Sequence, residues 1–261
     1  MRALNIAATG MQCQQTNVEV ISNNIANMNT TAYNRRRAEF TDLLYQNDRR
    51  VGTNSSDIGT IVPTGIQLGL GVRTTATYRI TQQGSLNNTN NTLDVAVQGK
   101  GYFKILLPSG EYAYTRDGSF QLSDTGKIVT ADGYTVMPGI TIDTLATGVT
   151  INSSGQVMET KDGTVTPTIQ GQLTLSIFPN DAGLEAQGNN MFMQTAASGQ
   201  PSDSVGGAQG YGTVLQGYLE TSNVNVVSEI TDLISAQRAY EMNSKVVQAS
   251  DEMLSTINQM K

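Results

Sequence analysis

The sequence predicts an α+β fold: N- and C-terminal helices paired as a coiled-coil-like layer, with a mainly antiparallel β domain inserted between them. Three observations carry this expectation. Apolar residues recur at heptad spacing at both ends of the 261-residue chain, and that spacing marks one greasy face on a helix. The stretch between them alternates short β-branched and aromatic runs with Asp-Gly and Pro-Ser-Gly turns about eight to ten residues apart, the spacing of a sandwich or barrel. Between the first helix and that stretch the composition shifts to Gly, Ser, Thr and Pro, which interrupt any long helix.

The elements follow in order. Leu4, Met11, Val18 and Ile25 stand seven apart, with Ala7, Gln14, Ile21 and Met28 three residues after each, which gives a helix over 4–28 with one polar seam member. Asn29, Thr30 and Thr31 end it with turn-forming groups. Residues 39–46 are helix-compatible, with Phe40, Leu43 and Leu44 on one side. Residues 51–71, punctuated by Pro63, Gly65, Gly69 and Gly71, read as an extended connector with a β-like tail over 72–80. Strands are expected at 95–98, 102–106, 112–115, 120–122, 128–130, 135–137, 149–151, 156–159, 164–169 and 173–178. The Gly-, Asn- and Gln-rich stretch 180–212 reads as loops and a few strands. A second helix carries the ladder Val226, Leu233, Tyr240, Val247 and Leu254, widened by Ile230, Ala236, Ala239, Val246, Met253 and Ile257.

These elements imply three regions: 1–46 with 214–261 as a terminal helical domain, 47–80 with 180–213 as an extended connector region, and 81–179 as a β-rich outer domain. The two helices either close the domain as an intramolecular hairpin or meet copies of the chain in an assembly. In the second case the interface is expected at Leu4, Met11, Val18, Ile21, Ile25, Leu233, Tyr240, Val247, Leu254 and Ile257.

Composition excludes much chemistry. No histidine is present and Cys13 is the sole cysteine, which removes Ser-His-Asp and Cys-His catalysis, an intrachain disulfide and most zinc sites. Catalytic, cofactor and metal sites are therefore expected to be absent. A net charge of −6, with Arg35-Arg36-Arg37 the longest basic run, argues against nucleic acid, whose phosphates need clustered cations. Gly99-Lys100-Gly101 lacks the rest of a phosphate loop and reads as a tight turn. Asp117, Asp124 and Asp132 each lie in a turn sequence and read as side-chain caps of those turns. Asn-X-Ser/Thr sequons such as those at Asn29, Asn54 and Asn152 are weak without a secretory context. The N-terminus lacks the apolar core of a cleavable signal, and no run of about 18 apolar residues could cross a bilayer.

The residues also resemble a family. Ala7-Ala8-Thr9-Gly10-Met11, Gln14-Gln15-Thr16-Asn17 and Ile21-Ser22-Asn23-Asn24-Ile25-Ala26-Asn27 look like the signature of the axial proteins of the bacterial flagellum, its rod, hook and hook-associated subunits. The run Gly217 to Asn225, with Gln237-Arg238-Ala239-Tyr240-Glu241-Met242-Asn243-Ser244-Lys245, is similar to the rod and hook branch. Ala38-Glu39-Phe40 with Asp42 to Gln46, Pro63 to Arg73 and Ala113 to Phe120 look most like the distal-rod members. One departure stands at Ala32 and Asn34, flanking Tyr33, where the family usually has Gly and Lys; it bears on the local geometry between Thr31 and Arg35.

The resemblance implies a non-enzymatic subunit that polymerises helically into a straight hollow shaft, with paired terminal helices as the inner tube and β structure outside. It implies as partners other copies, other rod subunits, the hook protein, surrounding ring proteins and the flagellar type III export apparatus. It implies an extracytoplasmic basal-body location, periplasmic where an outer membrane exists. A proximal rod or hook subunit is the nearest alternative; a surface adhesin or carbohydrate-acting protein is the alternative of another class.

Overall fold

A computed structural model of the chain describes residues 2–49, 64–162 and 166–260. The expected connector therefore lies outside the described residues over 51–63, as do the first residues of the strand expected at 164–169. The fold is α+β, with a helix at each end and antiparallel strand pairs throughout the described residues. The chain divides into two compact units: a helical unit of Met1–Ala26, Arg36–Arg79 and Asn225–Lys261, and a β unit of Asn27–Arg35 and Ile80–Val224. This division differs from the three regions expected: 47–79 group with the helices, and 27–35 and 180–224 with the β structure.

In the helical unit, α1 (Arg2–Ala26) and α2 (Val226–Gln259) form an antiparallel hairpin. Helix α2 starts where Asn225 caps it, its side-chain oxygen accepting from the backbone N–H groups of Val227 and Ser228 at 3.1 and 3.3 Å. The segment read as helix-compatible over 39–46 is instead extended. Strand β1 (Arg36–Asp42) and strand β2 (Tyr45–Arg49) pair with β4 (Val72–Arg79) and β3 (Ile66–Gly69), respectively. Bonds from Leu43 N–H to the Gly71 carbonyl (2.8 Å) and from Leu70 N–H to the Leu44 carbonyl (3.1 Å) join the two ladders into one ribbon. Phe40, Leu43 and Leu44 imitate a helical stripe, but the Thr-rich partner strand 72–79 gives alternate residues of β1 ladder bonds to a neighbour, which a lone, marginal helical turn lacks.

The ribbon runs along α1. Asn24 donates to the Arg36 carbonyl (2.8 Å) and accepts from the Arg36 N–H (2.9 Å). Further along, the Thr74 hydroxyl reaches the buried Cys13 sulfur (3.7 Å) and Val72 N–H reaches Thr9 Oγ1 (3.4 Å). Arg2 closes the far end on Asp48 at 3.4 Å.

The β unit centres on a sheet in which Glu185–Gly188, Met191–Met193, Tyr112–Thr115, Tyr102–Leu106, Thr135–Val136, Ile128–Val129 and Gln121–Leu122 are neighbours in that order. Thr174–Ile177 pairs both Tyr102–Leu106 and Ser202–Val205. Ala146–Ile151, Gln156–Lys161 and Thr168–Gln172 form a separate meander. The core contains Val95, Val97, Phe103, Ile128, Val136, Leu173, Leu175 and Val214, all essentially without exposure. A second cluster holds Tyr102, Tyr114, Phe178, Leu184 and Phe192, with edge-on aromatic contacts.

Ala32 adopts φ 53° and donates its N–H to the Glu220 carbonyl at 2.8 Å. The turn before Tyr33 thus holds a left-handed residue despite the methyl group.

Candidate assembly interface

The hairpin seam contains small and polar residues. A Cβ added to Gly10 would stand 3.0 Å from Asn243 Nδ2, so glycine is what lets the helices approach there. Asn24 Nδ2 donates to Glu229 Oε2 at 3.0 Å, and both residues are buried. These two pairs fit one antiparallel register, which sets Asn17 level with the buried Ala236 and Ala3 level with the buried Ser250. A buried polar pair of this kind rewards one register over its neighbours, because slipping would leave Asn24 and Glu229 without each other.

Around that seam, α2 retains apolar side chains that the hairpin does not cover. One ladder follows Ala239, Met242, Val246, Ala249 and Met253 at alternating three- and four-residue steps and resumes two turns on at Met260, with Met242 68%, Met253 60% and Met260 81% exposed. A shorter ladder, Val227, Ile230 and Ile234, lies at the N-terminal end, with Val227 76% exposed. At about 100° per residue the two ladders flank the seam on opposite sides. The far half of the ribbon adds exposed Leu44, Tyr45, Ile66 and Leu68, and a two-stranded ribbon by itself is marginally stable in water. Apolar side chains aligned along one face of an element mark an interaction surface, unlike the single scattered ones of an ordinary surface.

Charge is distributed to the same effect. The helical unit holds ten Lys or Arg and ten Asp or Glu, so copies of it do not repel; the β unit holds six and twelve, and carries the whole net charge of −6. Self-association through the helical unit therefore meets no net electrostatic barrier.

Of the ten interface residues expected, Ile21 is buried, and Leu4, Met11, Val18, Ile25, Leu233, Val247 and Leu254 are half-buried in the helical unit. Tyr240 (43%) and Ile257 (60%) face outward. The heptad ladders thus lie in or beside the hairpin, and the exposed apolar side chains form strips flanking them. Sequence reasoning included Ile230, Val246 and Met253 as wideners of one stripe; it omitted Val227, Ile234, Met242 and Met260, whose three- and four-residue steps were the available signal.

The other candidate residues make structural bonds. Arg116 is buried, pairs with Glu220 at 2.8 Å and donates to the carbonyls of Gly101 (3.2 Å), Val97 (3.4 Å) and Gly99 (2.9 Å). Lys100 lies in the turn between positive-φ Gly99 and Gly101, where its carbonyl accepts from Gly212 N–H. Asp117 accepts from the backbone N–H and hydroxyl of Ser119 and from the Thr31 hydroxyl. Asp124 accepts from Ser123 and Asp132 from Asn189. No three potential metal ligands converge among the described residues, and no described helix is long and apolar enough to cross a membrane.

Comparison with known proteins returns the same parts of the chain. Residues 4–33 match the family model of the flagella basal body rod protein, 96–159 that of the flagellar hook protein FlgE/F/G D1 domain, and 215–260 that of the flagellar basal body rod FlgEFG protein C-terminal. The flagellar basal-body rod protein FlgG of Caulobacter vibrioides is 57% identical over 261 residues, covering 100% of both chains. FlgG of Agrobacterium fabrum is 53% identical, covering 99% of this chain and 98% of its own, and FlgG of Bacillus subtilis is 37% identical, covering 100% and 99%.

Proposed function

This chain belongs to the flagellar basal-body rod protein family, and we propose that it is the distal-rod subunit: it polymerises helically into the straight shaft that carries torque from motor to hook. The observation that carries the reading is the pair of exposed apolar ladders on α2, on a unit with no net charge, in a chain similar along its whole length to FlgG proteins. A shaft under torsion needs many repeated side-by-side contacts and no catalytic groups. The partners are other copies of the chain, the other rod subunits, the hook protein and the rings around the shaft. Delivery is through the flagellar type III export apparatus, to an extracytoplasmic site that is periplasmic where an outer membrane exists.

The test is removal of the gene followed by electron microscopy of isolated basal bodies. Basal bodies that retain the proximal shaft but lack its distal part and the hook are expected, with loss of swimming. Basal bodies of normal length would overturn the proposal.

A further inference from the structure

Helix α2 is 34 residues long and α1 is 25. The register set by Gly10 with Asn243 and Asn24 with Glu229 brings Arg2 level with Asp251, so residues 252–259 continue past the start of α1. This overhang has an unusual composition. Residues 253–260 contain no charged side chain, and Met253, Ile257 and Met260 are 60–81% exposed. At the other end of the same helix, Val227, Ile230 and Ile234 form an exposed apolar face. The two patches are about 40 Å apart at 1.5 Å per residue, so one chain cannot bring them together.

We infer that the α2 overhang of one copy docks on the Val227, Ile230 and Ile234 face of α2 in the next copy, the two helices running parallel and displaced by about 40 Å along their axis. This rests on the assembly reading given above and specifies the partner surface within it. The contact joins two different patches, so it is heterologous: it does not close as a two-fold dimer but passes from copy to copy, as an open polymer requires. Helix polarity favours it. The last turn of α2 has no basic residue to offset its partial negative charge, and the docked arrangement sets that end beside the partial positive start of the next α2. The occupant is a second copy, because both patches belong to the charge-neutral unit, whose copies carry no net charge to keep them apart.

Cysteine cross-linking in rods isolated from cells tests it. Ile230→Cys combined with Ile257→Cys should give, on oxidation, a ladder of covalent dimers, trimers and higher species. Each single variant should give none, the buried native Cys13 serving as its own control. A register control, Ile230→Cys with Met242→Cys, should also stay monomeric. Rods of the double variant that do not cross-link, or a ladder from the control pair instead, would overturn the contact. A second chain lacking residues 253–261 should keep the hairpin's helicity but yield no rods; rods from it would overturn the contact by another route. Failure of the unaltered chain to associate with itself in basal bodies would instead overturn the assembly reading on which this one rests.

Discussion

Val246 and Val247 are adjacent in sequence but about 100° apart on α2, and changing each to Asp should separate folding from assembly. Val246 is 46% exposed on the outer ladder, whereas Val247 is half-buried beside the hairpin seam. Covering the exposed half of a valine stabilises a contact by about 1 kcal/mol. A carboxylate in its place loses that and adds a desolvation cost, for a total of about 3–4 kcal/mol per contact. Association at each contact should weaken by two to three orders of magnitude, on the scale of about 1.4 kcal/mol per tenfold. In the free chain the same carboxylate remains in water and costs under about 1 kcal/mol. Val247→Asp should destabilise the hairpin itself by about 2–3 kcal/mol. Helical circular dichroism on heating the purified chain reads the first effect, and counts of rods in basal-body preparations read the second. Val246→Asp should melt like the parent and form no rods, and Val247→Asp should melt lower. Normal rods from Val246→Asp would refute the reasoning, because they would show that this ladder meets no neighbour.

Other outcomes follow from the same structure. Arg116→Met should destabilise the β unit by about 3–5 kcal/mol by leaving the Gly99 and Gly101 carbonyls without a donor and Glu220, which keeps only the Gly84 N–H, without its cation; Arg116→Lys should not restore the melting temperature, since an ammonium cannot reach that spread of acceptors. In the meander, the Lys161 ammonium lowers the Asp143 pKa and the Asp143 backbone N–H lowers that of Glu159, while Asp143 raises that of Lys161. A carboxylate with a depressed folded pKa adds stability above its unfolded pKa and loses it as pH falls through the folded one. Acid titration of meander amide signals by NMR should therefore show loosening below the ordinary carboxylate range, and Lys161→Met should move its onset to higher pH. Deleting about residues 53–66 should still give polymer, but polymer that curves under the microscope; straight, stiff rods from the deletion would remove any role of this segment in rigidity. Amide exchange over 252–259 should be fast in dilute monomer and slow in rods.

The sequence announces some of this architecture and hides the rest for physical reasons. The strands Val95–Gln98, Tyr102–Leu106 and Tyr112–Thr115 were legible to the residue, because apolar runs bounded by Gly and Asp-Gly turns leave few alternatives. Both helices were legible from their heptads. The hairpin register was not, since the residues that set it are Gly10, Asn24, Glu229 and Asn243, which carry no hydrophobic signal. Periodicity gives the spacing of a stripe but not which neighbour covers it. The ribbon was missed at 39–46 because its partner strand begins more than twenty residues later, and three apolar residues at helical spacing are equally at home on an extended chain. Arg116 was visible only as part of a resemblance; nothing in its local sequence says that it will gather Gly99, Gly101, Val97 and Glu220 around one guanidinium.

The most direct measurement is oxidation of methionines by dilute peroxide, read residue by residue by mass spectrometry, in the free chain and in isolated rods. Thioether oxidation follows solvent access, and Met242, Met253 and Met260 are open in the single chain. If the outer face of α2 is where copies meet, all three oxidise readily in the free chain and are protected in the rod. Equal oxidation of the three in both states would contradict the account, for it would leave the apolar ladders of α2 facing water in the finished shaft.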